Sequence, residues 1–334
     1  MSAPERQPET HQVDIAVIGA GPTGLFAAYY AGFRGLSVAV VDSLPEPGGQ
    51  ITAMYPEKKI YDVAGFPEVL GKDLVANLVA QADSAKPTYL LGRKATTLDD
   101  AEGGADSGLV LGLDGGAAVH AGAVLITAGI GEFTPRPLPA ADGWLGKGVV
   151  HFVPELDKHR GEHVIVVGGG DSAFDWVLAL HPIAASVTLV HRRSRFRAAE
   201  SVIREVEDLG VSMITDAEIV ELRGDPVLNE VEIAPKAGER LVLPADTVVA
   251  ALGFVADLGP ISSWGLEVTR KSISVDSTMA TARERVYAAG DVASYPGKVN
   301  LIATGFGEAA TAVNNIAVAL QPGAKLFPGH STDI

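Results

Sequence analysis

The sequence predicts an α/β protein made of two three-layer domains, one inserted into the other. Residues 13–24 (VDIAVIGAGPTG) and 163–173 (HVIVVGGGDSA) each pass from a continuous apolar run into a glycine-rich turn, and a helix-like stretch follows each turn. A second apolar run then comes at residues 37–42 (SVAVVD) and 186–191 (SVTLVH). Runs without polar alternation are typical of parallel strands that are buried on both faces. Each copy therefore predicts one strand–helix–strand unit of a parallel sheet.

The remaining elements place the second copy inside the first. Residues 98–113 predict a small antiparallel meander and residues 124–131 (VLITAGIG) another buried strand, before a linker with three prolines at 133–140. A strand at 247–254 precedes the return linker, and a strand at 286–291 and a helix at 301–320 close the first domain. We predict a flexible N-terminus at 1–12, a first domain at 13–130 and 255–334, and a second domain at 131–254.

The composition excludes several classes of protein. The 26 basic and 41 acidic residues give a net charge of −15, which disfavours binding to nucleic acid and to anionic membranes. Without cysteine, the chain cannot form disulfides, Cys-ligated metal sites or a C-x-x-C redox centre. Residues 1–12 are polar, and no apolar run approaches the roughly 18 residues of a membrane helix. We therefore expect a cytoplasmic protein without a metal site, a membrane segment or a nucleic-acid partner.

The first glycine turn has the pattern of a dinucleotide site. Gly19, Gly21 and Gly24 follow a predicted strand and open a predicted helix, which permits a tight turn and a close approach of the backbone to a pyrophosphate. The amides at the helix N-terminus would hold the phosphates. Asp42 ends the next strand, 23 residues after Gly19, where an acid accepts hydrogen bonds from ribose hydroxyls.

The second turn differs from the first in the residues that follow it. Gly168 and Gly170 open the turn, and alanine at position 173 replaces the third glycine, as the pattern allows. His191 stands 23 residues after Gly168 in place of an acid, and the segment 191–197 (HRRSRFR) holds four arginines. Guanidinium groups match phosphate oxygens, so this unit is predicted to prefer NADP(H) to NAD(H).

Both glycine turns belong to longer segments that resemble one family over the whole chain. These segments are GAGPTGLFAAYY, DSLPEPGGQITAMYPEKKIYDVAGFP, GGGDSAFDW, HRRSRFRA, AAGDVASYPGKVNLIATGFGEAATAVNN and the terminal HST. The chain resembles the ferredoxin–NADP reductases of the thioredoxin-reductase-like type. Thioredoxin reductases themselves carry a C-x-x-C just before the second glycine turn, where this chain has residues 150–162 without sulfur. The chain therefore cannot pass electrons through a dithiol of its own.

The resemblance implies two Rossmann-like domains of the three-layer ββα type, with an NADP(H)-binding domain inserted into an FAD-binding domain. Tyr55 would stack on one face of the flavin, and the C-terminal tail with His330 would cover the other. The implied FAD contacts are Gly19, Gly21, Thr23, Gly24, Asp42, Gln50, Tyr55, Ala95, Phe133, Asp291, His330 and Thr332. The implied NADP(H) contacts are Gly168, Gly170, Asp171, Ser172, Arg192, Arg193 and Arg197.

The same resemblance implies hydride transfer from NADPH to FAD, followed by single-electron transfer to ferredoxin or flavodoxin, in a homodimer. Hydride transfer needs no acid or base, and no acid–base pair stands out in the sequence. Basic residues near Tyr55 in the sequence are candidates for docking an acidic partner, namely Lys58, Lys59, Lys72, Arg93 and Lys94. Two other functions remain open: an NADPH-dependent flavin reductase of a quinone or another small molecule, and a non-catalytic FAD redox sensor.

Overall fold

The computed structural model describes residues 9–104, 107–327 and 329, and for Phe133 it describes the backbone alone. The contacts divide the chain into two compact units. The first unit joins Met1–Glu132 to Ala256–Ile334, and the second unit is Phe133–Val255. The second unit thus interrupts the first, at the start of the segment with three prolines and shortly after Gly253.

Strands and helices alternate around the two glycine turns, and runs of consecutive strands make up most of the rest of the described chain. The first part of the first unit, together with the strand β9 that continues into the second unit, contains β1 (Thr10–Ile18), α1 (Pro22–Phe33), β2 (Val38–Asp42), α2 (Gln50–Met54), β3 (Lys59–Ile60), β4 (Val69–Leu70), α3 (Gly71–Asp83), β5 (Thr88–Leu91), β6 (Ala95–Asp100), β7 (Leu109–Leu113), β8 (Ala118–Ile126) and β9 (Glu132–Pro135). The second unit follows with β10 (Val149–Val150), β11 (His163–Val167), α4 (Asp171–Leu180), β12 (Ser186–Val190), α5 (Glu200–Asp208), β13 (Ser212–Ile214), β14 (Ala217–Gly224), β15 (Leu228–Pro235), β16 (Leu241–Pro244) and β17 (Thr247–Ala250). The chain then returns to the first unit with β18 (Phe254–Asp257), β19 (Val268–Thr269), β20 (Ser272–Ser274), β21 (Val286–Ala288), β22 (Ala293–Ser294) and α6 (Ile302–Leu320).

A seven-stranded sheet forms the centre of the first unit. Its order is β5–β2–β1–β8–β7–β6, with β21 paired to β8. β1 is parallel to both of its neighbours, whereas β6 and β7 form an antiparallel end. Ile15 and Val17 of β1 pack with α1, α3 and α6 on one face. On the other face, Ala16 and Ile18 share a core with β20 and β22, which belong to a separate three-stranded sheet. The sheet therefore lies between a helical layer and a β layer.

The second unit has a five-stranded parallel sheet in the order β10–β17–β11–β12–β13. A three-stranded antiparallel sheet, β14–β15–β16, covers one of its faces, where Ile219 and Ile233 share a core with Ile165 and Val248. Helix α4 packs against β11 and β12. The predicted fold class, an α/β protein with two Rossmann-like domains of which one is inserted into the other, is confirmed.

Some predicted element boundaries are wrong. β1 begins at Thr10, and residues 10–12 already pair with β8, so the predicted flexible N-terminus is too long. The predicted strand at 247–254 ends at Ala250, and Gly253 (φ +78) separates it from β18. The predicted strand at 286–291 ends at Ala288, because Gly290 (φ +77) begins a short 3-10 turn.

Candidate functional site

The first glycine turn joins β1 to α1 and leaves room at the helix N-terminus. Gly19 has φ +110, and a Cβ there would lie 2.5 Å from the carbonyl oxygen of Thr127. A Cβ on Gly24 would lie 1.8 Å from the oxygen of Gly19. By contrast, nothing described lies within 4 Å of a Cβ on Gly21, the N-cap of α1. Packing therefore requires Gly19 and Gly24, whereas the space at Gly21 fits a pyrophosphate.

Asp42, at the end of β2, organises this turn. Its Oδ2 accepts a hydrogen bond from the N–H of Ala20 at 2.6 Å, and its Oδ1 accepts one from the N–H of Leu44 at 2.8 Å. Burial raises the pKa of the carboxyl, and the two N–H groups lower it. Each carboxylate oxygen has a second lone pair. Hydrogen bonds from ribose hydroxyls to Asp42 are therefore compatible with these contacts and stay a prediction.

A pair of glycines brings Gln50 to the same turn. The N–H of Gly48 donates to the oxygen of Ala20 at 2.8 Å, and a Cβ on Gly49 would lie 3.0 Å from the Cα of Gly21. Helix α2 begins directly afterwards, at Gln50. The structure thus places Gln50 beside the first glycine turn, although the two are about 30 residues apart in the sequence.

Tyr55 and Asp291 come together at the ends of two other elements of the first unit. Tyr55 directly follows α2, and Asp291 lies in the turn after β21. Burial raises the pKa of the Tyr55 hydroxyl, and the nearby charge of Asp291 raises it further. A Cβ on Gly290 would lie 2.9 Å from Oγ1 of Thr23, so this turn also touches the start of α1. Thr23, Tyr55 and Asp291 therefore belong to one region.

A buried cluster that the sequence analysis missed holds the turn of Gly290 and Asp291. Glu308 of α6 is 4% exposed, and its Oε2 accepts a hydrogen bond from the N–H of Gly290 at 2.7 Å. Its Oε1 accepts hydrogen bonds from the Tyr295 hydroxyl at 2.6 Å and from Nζ of Lys298. The bond to Glu308 raises the pKa of Tyr295 to about 12. The sequence signal was the lone acid in a helix that is otherwise apolar or neutral, because a buried charge needs a partner.

The second glycine turn repeats this geometry in the second unit. The N–H of Gly168 donates to the oxygen of Val190 at 3.1 Å, a bond for which the first turn has an equivalent. A Cβ on Gly168 would lie 2.5 Å from the oxygen of Ala251. Nothing described lies within 4 Å of a Cβ on Gly170, the N-cap of α4. This helix N-terminus therefore also fits a pyrophosphate.

The arginine-rich segment is attached to the second turn. The N–H of Arg197 donates to the oxygen of Gly169 at 2.7 Å, and the N–H of Ala199 donates to Oδ1 of Asp171 at 3.0 Å. The His191 ring lies against the turn, since a Cβ on Gly169 would be 2.3 Å from it. Burial is the main cause that lowers the pKa of His191. The ring therefore favours its neutral form.

The arginines of this segment are exposed cations. Arg192, Arg193, Arg195 and Arg197 form no ion pair with any acid in the described parts of the chain. Unpaired guanidinium groups beside a helix N-terminus favour an anionic ligand, and they do so here in a chain of net charge −15. Of the predicted NADP(H) contacts, Gly168, Gly170, Asp171 and Ser172 lie in the turn or at the start of α4. Arg197 is hydrogen-bonded to the turn, and Arg192 and Arg193 directly follow His191.

Some predicted contacts cannot be placed with their side chains. His330 and Thr332 lie outside the described residues, and the side chain of Phe133 is not described. Ala95 begins β6 and is buried.

Within the described ranges, no group of three or more His, Cys, Asp or Glu could hold a metal ion. No helix of those ranges is long and apolar enough to span a bilayer.

Acids neutralise at least three of the predicted docking cations. The pairs are Lys59 with Glu68 at 2.9 Å, Lys72 with Glu57 at 3.2 Å, and Lys94 with Glu132. Nζ of Lys58 lies 5.7 Å from the ring centroid of Tyr55. This surface therefore carries less net positive charge than its sequence suggests.

Comparisons with known proteins agree with this geometry. A family model described as pyridine nucleotide-disulphide oxidoreductase matches residues 13–317. A ferredoxin–NADP reductase of Saccharopolyspora erythraea is 69% identical over 328 residues, which are 98% of this chain and 99% of that protein. Ferredoxin–NADP reductases of Salinispora tropica and of a Nocardioides species are 61% and 62% identical, over 97% and 96% of this chain and 99% and 97% of those proteins. These relatives confirm the resemblance seen in the sequence.

Solved structures show the same fold. The thioredoxin reductase of T. acidophilum has a TM-score of 0.78 at 24% identity, over 92% of this chain and 98% of that chain. That of Lactococcus lactis has a TM-score of 0.76 at 23% identity, over 92% of this chain and 99% of that chain. Without cysteine, this chain has no disulphide of its own to match the family description. The chain belongs to the pyridine nucleotide-disulphide oxidoreductase family, among the ferredoxin–NADP reductases with the thioredoxin-reductase-like fold.

Proposed function

We propose that this protein is a ferredoxin–NADP reductase, which transfers electrons between NADPH and ferredoxin or flavodoxin with FAD bound in the first unit. The observation that carries the proposal is the pair of glycine turns with different partners. The first turn is hydrogen-bonded to Asp42, whose carboxylate suits ribose hydroxyls. The second turn is hydrogen-bonded to a segment of exposed arginines, which suit a phosphate. One chain thus offers a different site to each dinucleotide.

The first unit would bind and orient FAD. Gly19 and Gly24 shape the turn, and the amides beside Gly21 would hold the pyrophosphate. Asp42 would bind the ribose, while Tyr55 would pack on the flavin. The further proposed contacts are Thr23, Gln50, Ala95, Phe133, Asp291, His330 and Thr332. When bound, FAD supplies the chemistry that accepts a hydride and releases single electrons.

The second unit would bind NADP(H). The backbone at Gly168 and Gly170 and the first turn of α4 with Ser172 would face the pyrophosphate. Asp171 accepts the hydrogen bond from Ala199, so we propose that it holds the arginine segment in place. The residues proposed for the 2′-phosphate are Arg192, Arg193 and Arg197.

We further propose that the protein is a cytoplasmic homodimer. Several exposed large apolar side chains come from α6 and its flanks, namely Val299, Leu301, Val318, Leu326 and Phe327. Exposed apolar surface favours association with another protein surface, and a second copy is the simplest partner. Sedimentation equilibrium should give the mass of two chains, and the mass of one chain at micromolar concentration would contradict the dimer.

Anaerobic addition of NADPH to the purified protein tests the proposed activity. Ferredoxin with cytochrome c serves as the reporter, and NADH is measured in parallel. We expect fast bleaching of the flavin and ferredoxin-dependent reduction of cytochrome c, both much weaker with NADH. Bleaching of the flavin without ferredoxin-dependent or flavodoxin-dependent reduction of cytochrome c would reject a protein acceptor and favour a quinone. Absence of bleaching would reject the second nucleotide site.

A further inference from the structure

The first unit contains a buried ion pair at its proposed flavin end. The side chains of Lys298 and Glu308 are 9% and 4% exposed and pair with each other, and Tyr295 donates to the same carboxylate. We call these three residues the Glu308 cluster. A buried ion pair seldom stabilises a protein more than apolar side chains of the same volume would. Stability alone therefore does not explain the cluster.

The Glu308 cluster holds both backbone polar groups of Gly290. Oε2 of Glu308 accepts the N–H of Gly290 at 2.7 Å, and Nζ of Lys298 donates to the oxygen of Gly290 at 3.1 Å. Gly290 has φ +77, a left-handed backbone conformation that residues other than glycine rarely adopt. Asp291 is the next residue in this turn. The position of Asp291 thus depends on the two charged groups.

The same turn packs against the start of α1. A Cβ on Gly290 would lie 2.9 Å from Oγ1 of Thr23, and a Cβ on Gly305 would lie 2.4 Å from the same atom. Gly305 precedes Glu308 by three residues, or nearly one turn of α6. The Glu308 cluster is therefore about one helical turn from residues proposed to hold FAD.

The two charges of the cluster act on this site with opposite signs. Loss of water raises the pKa of Asp291, the charge of Lys298 lowers it, and the charge of Glu308 raises it. An anionic reduced flavin nearby would respond in the same way, because Lys298 would stabilise the anion and Glu308 would destabilise it. While both groups are charged, the two effects oppose each other.

We propose that Lys298 and Glu308 are positioning residues that set the redox equilibrium of the bound flavin, through their balance of charge at the Gly290–Asp291 turn. This inference rests on the proposed function, because it requires FAD in the first unit. Removing one charge should shift the equilibrium in one direction, and removing the other should shift it in the opposite direction. General loosening of the site would shift both variants alike.

The midpoint potential of the flavin in the purified holoenzyme tests the inference. Equilibration with redox dyes of known potential measures it without NADPH or ferredoxin. Glu308→Gln leaves Lys298 unpaired and should favour the reduced flavin about tenfold, a rise of about 30 mV for a two-electron couple. Lys298→Met leaves Glu308 unpaired and should lower the potential by a similar amount. Tyr295→Phe removes a hydrogen bond but no charge, and it should shift the potential less than either.

A matched control exists in the second unit. Glu232 is 7% exposed and pairs with Arg223 and Arg240, so Glu232→Gln also removes a buried carboxylate from an ion pair, but in the unit that is not proposed to hold FAD. The flavin potential of this control should equal that of the wild type. Shifts of the same sign in Glu308→Gln and Lys298→Met, or no shift in either, would overturn the inference.

A double variant decides the outcome if a single variant does not retain flavin. Lys298→Met combined with Glu308→Gln removes both charges together. It should retain FAD with a potential near that of the wild type, whereas loss of flavin would overturn the inference. Wild-type protein that lacks FAD, or that NADPH does not reduce, would instead reject the proposed function.

Discussion

Substituting Gly170 by alanine should separate nucleotide binding from folding. Gly170 caps α4 at φ −108, and nothing described lies within 4 Å of a Cβ there. Alanine tolerates this backbone conformation, and at an N-cap it costs about 0.5–1 kcal/mol. The smaller entropy of the unfolded chain offsets about 0.4–1 kcal/mol of that cost. The free energy of unfolding should therefore change by less than about 1 kcal/mol.

The new methyl group would occupy the space proposed for the pyrophosphate. Loss of one hydrogen bond to a charged group costs about 1.5–3 kcal/mol, which raises Kd roughly 10- to 150-fold. NADPH and NADH share the pyrophosphate, so Gly170→Ala should weaken both to the same extent. This common loss distinguishes the turn from the arginines, which would act on NADPH alone.

Calorimetric titration with each nucleotide and thermal melting measure the two effects of Gly170→Ala. Gly21→Ala is the matched control, because Gly21 is the equivalent N-cap in the first unit and has the same open space. It should reduce FAD retention and leave the affinity for NADPH unchanged. A wild-type Kd for NADPH in Gly170→Ala would refute the proposed phosphate site. A large loss of stability would refute the packing argument.

The arginine segment, His191 and the C-terminal tail support further predictions. Arg192→Ala or Arg193→Ala should weaken NADPH by about 1.5–3 kcal/mol and spare NADH in titrations; equal losses would remove the 2′-phosphate role. Burial lowers the pKa of His191 from its ordinary value of 6.5, so at acidic pH the unfolded chain binds a proton that the folded chain does not. The free energy of unfolding should therefore decrease as the pH is lowered below about 6.5. The same pH dependence of the melting temperature in wild type and His191→Gln would contradict this. Deletion of residues 329–334 should change the stopped-flow rate of flavin reduction by NADPH, and an unchanged rate would mean that the tail does not gate the site.

The strands and glycine turns could be predicted because their requirements are local. A continuous apolar run specifies β1 and β11, and glycines specify the turns that follow them. The contact that closes the first turn is not local. Oγ1 of Thr127 donates to the oxygen of Gly19 at 2.9 Å, and 108 residues separate the two. Thr127 looked like one more residue of a buried strand, and only the parallel pairing of β1 with β8 brings it to the turn.

The elements that the sequence analysis missed depend on distant partners. Strands β14 and β15 have eight residues each, but bulges interrupt their pairing, and β16 is largely exposed, so the apolar pattern of this sheet is irregular. The Glu308 cluster joins α6 to the segment after β22, and neither segment alone shows that the charge of Glu308 is balanced. A lone acid in an otherwise apolar or neutral helix indicated that a partner was needed, but the identity of Lys298 required the structure.

The two copies of the strand–helix–strand unit use one position of the fold in different ways. The residue 23 positions after the first glycine contacts the middle residue of the turn in both copies. In the first copy, the Asp42 carboxylate accepts the N–H of Ala20. In the second copy, the His191 ring lies against Gly169, where an alanine would bring its Cβ within 2.3 Å of the ring. The exchange of aspartate for histidine thus requires the exchange of alanine for glycine. We infer that nucleotide preference depends on these two positions together, because the histidine replaces the acid proposed to bind ribose and the arginines after it are proposed to bind the phosphate.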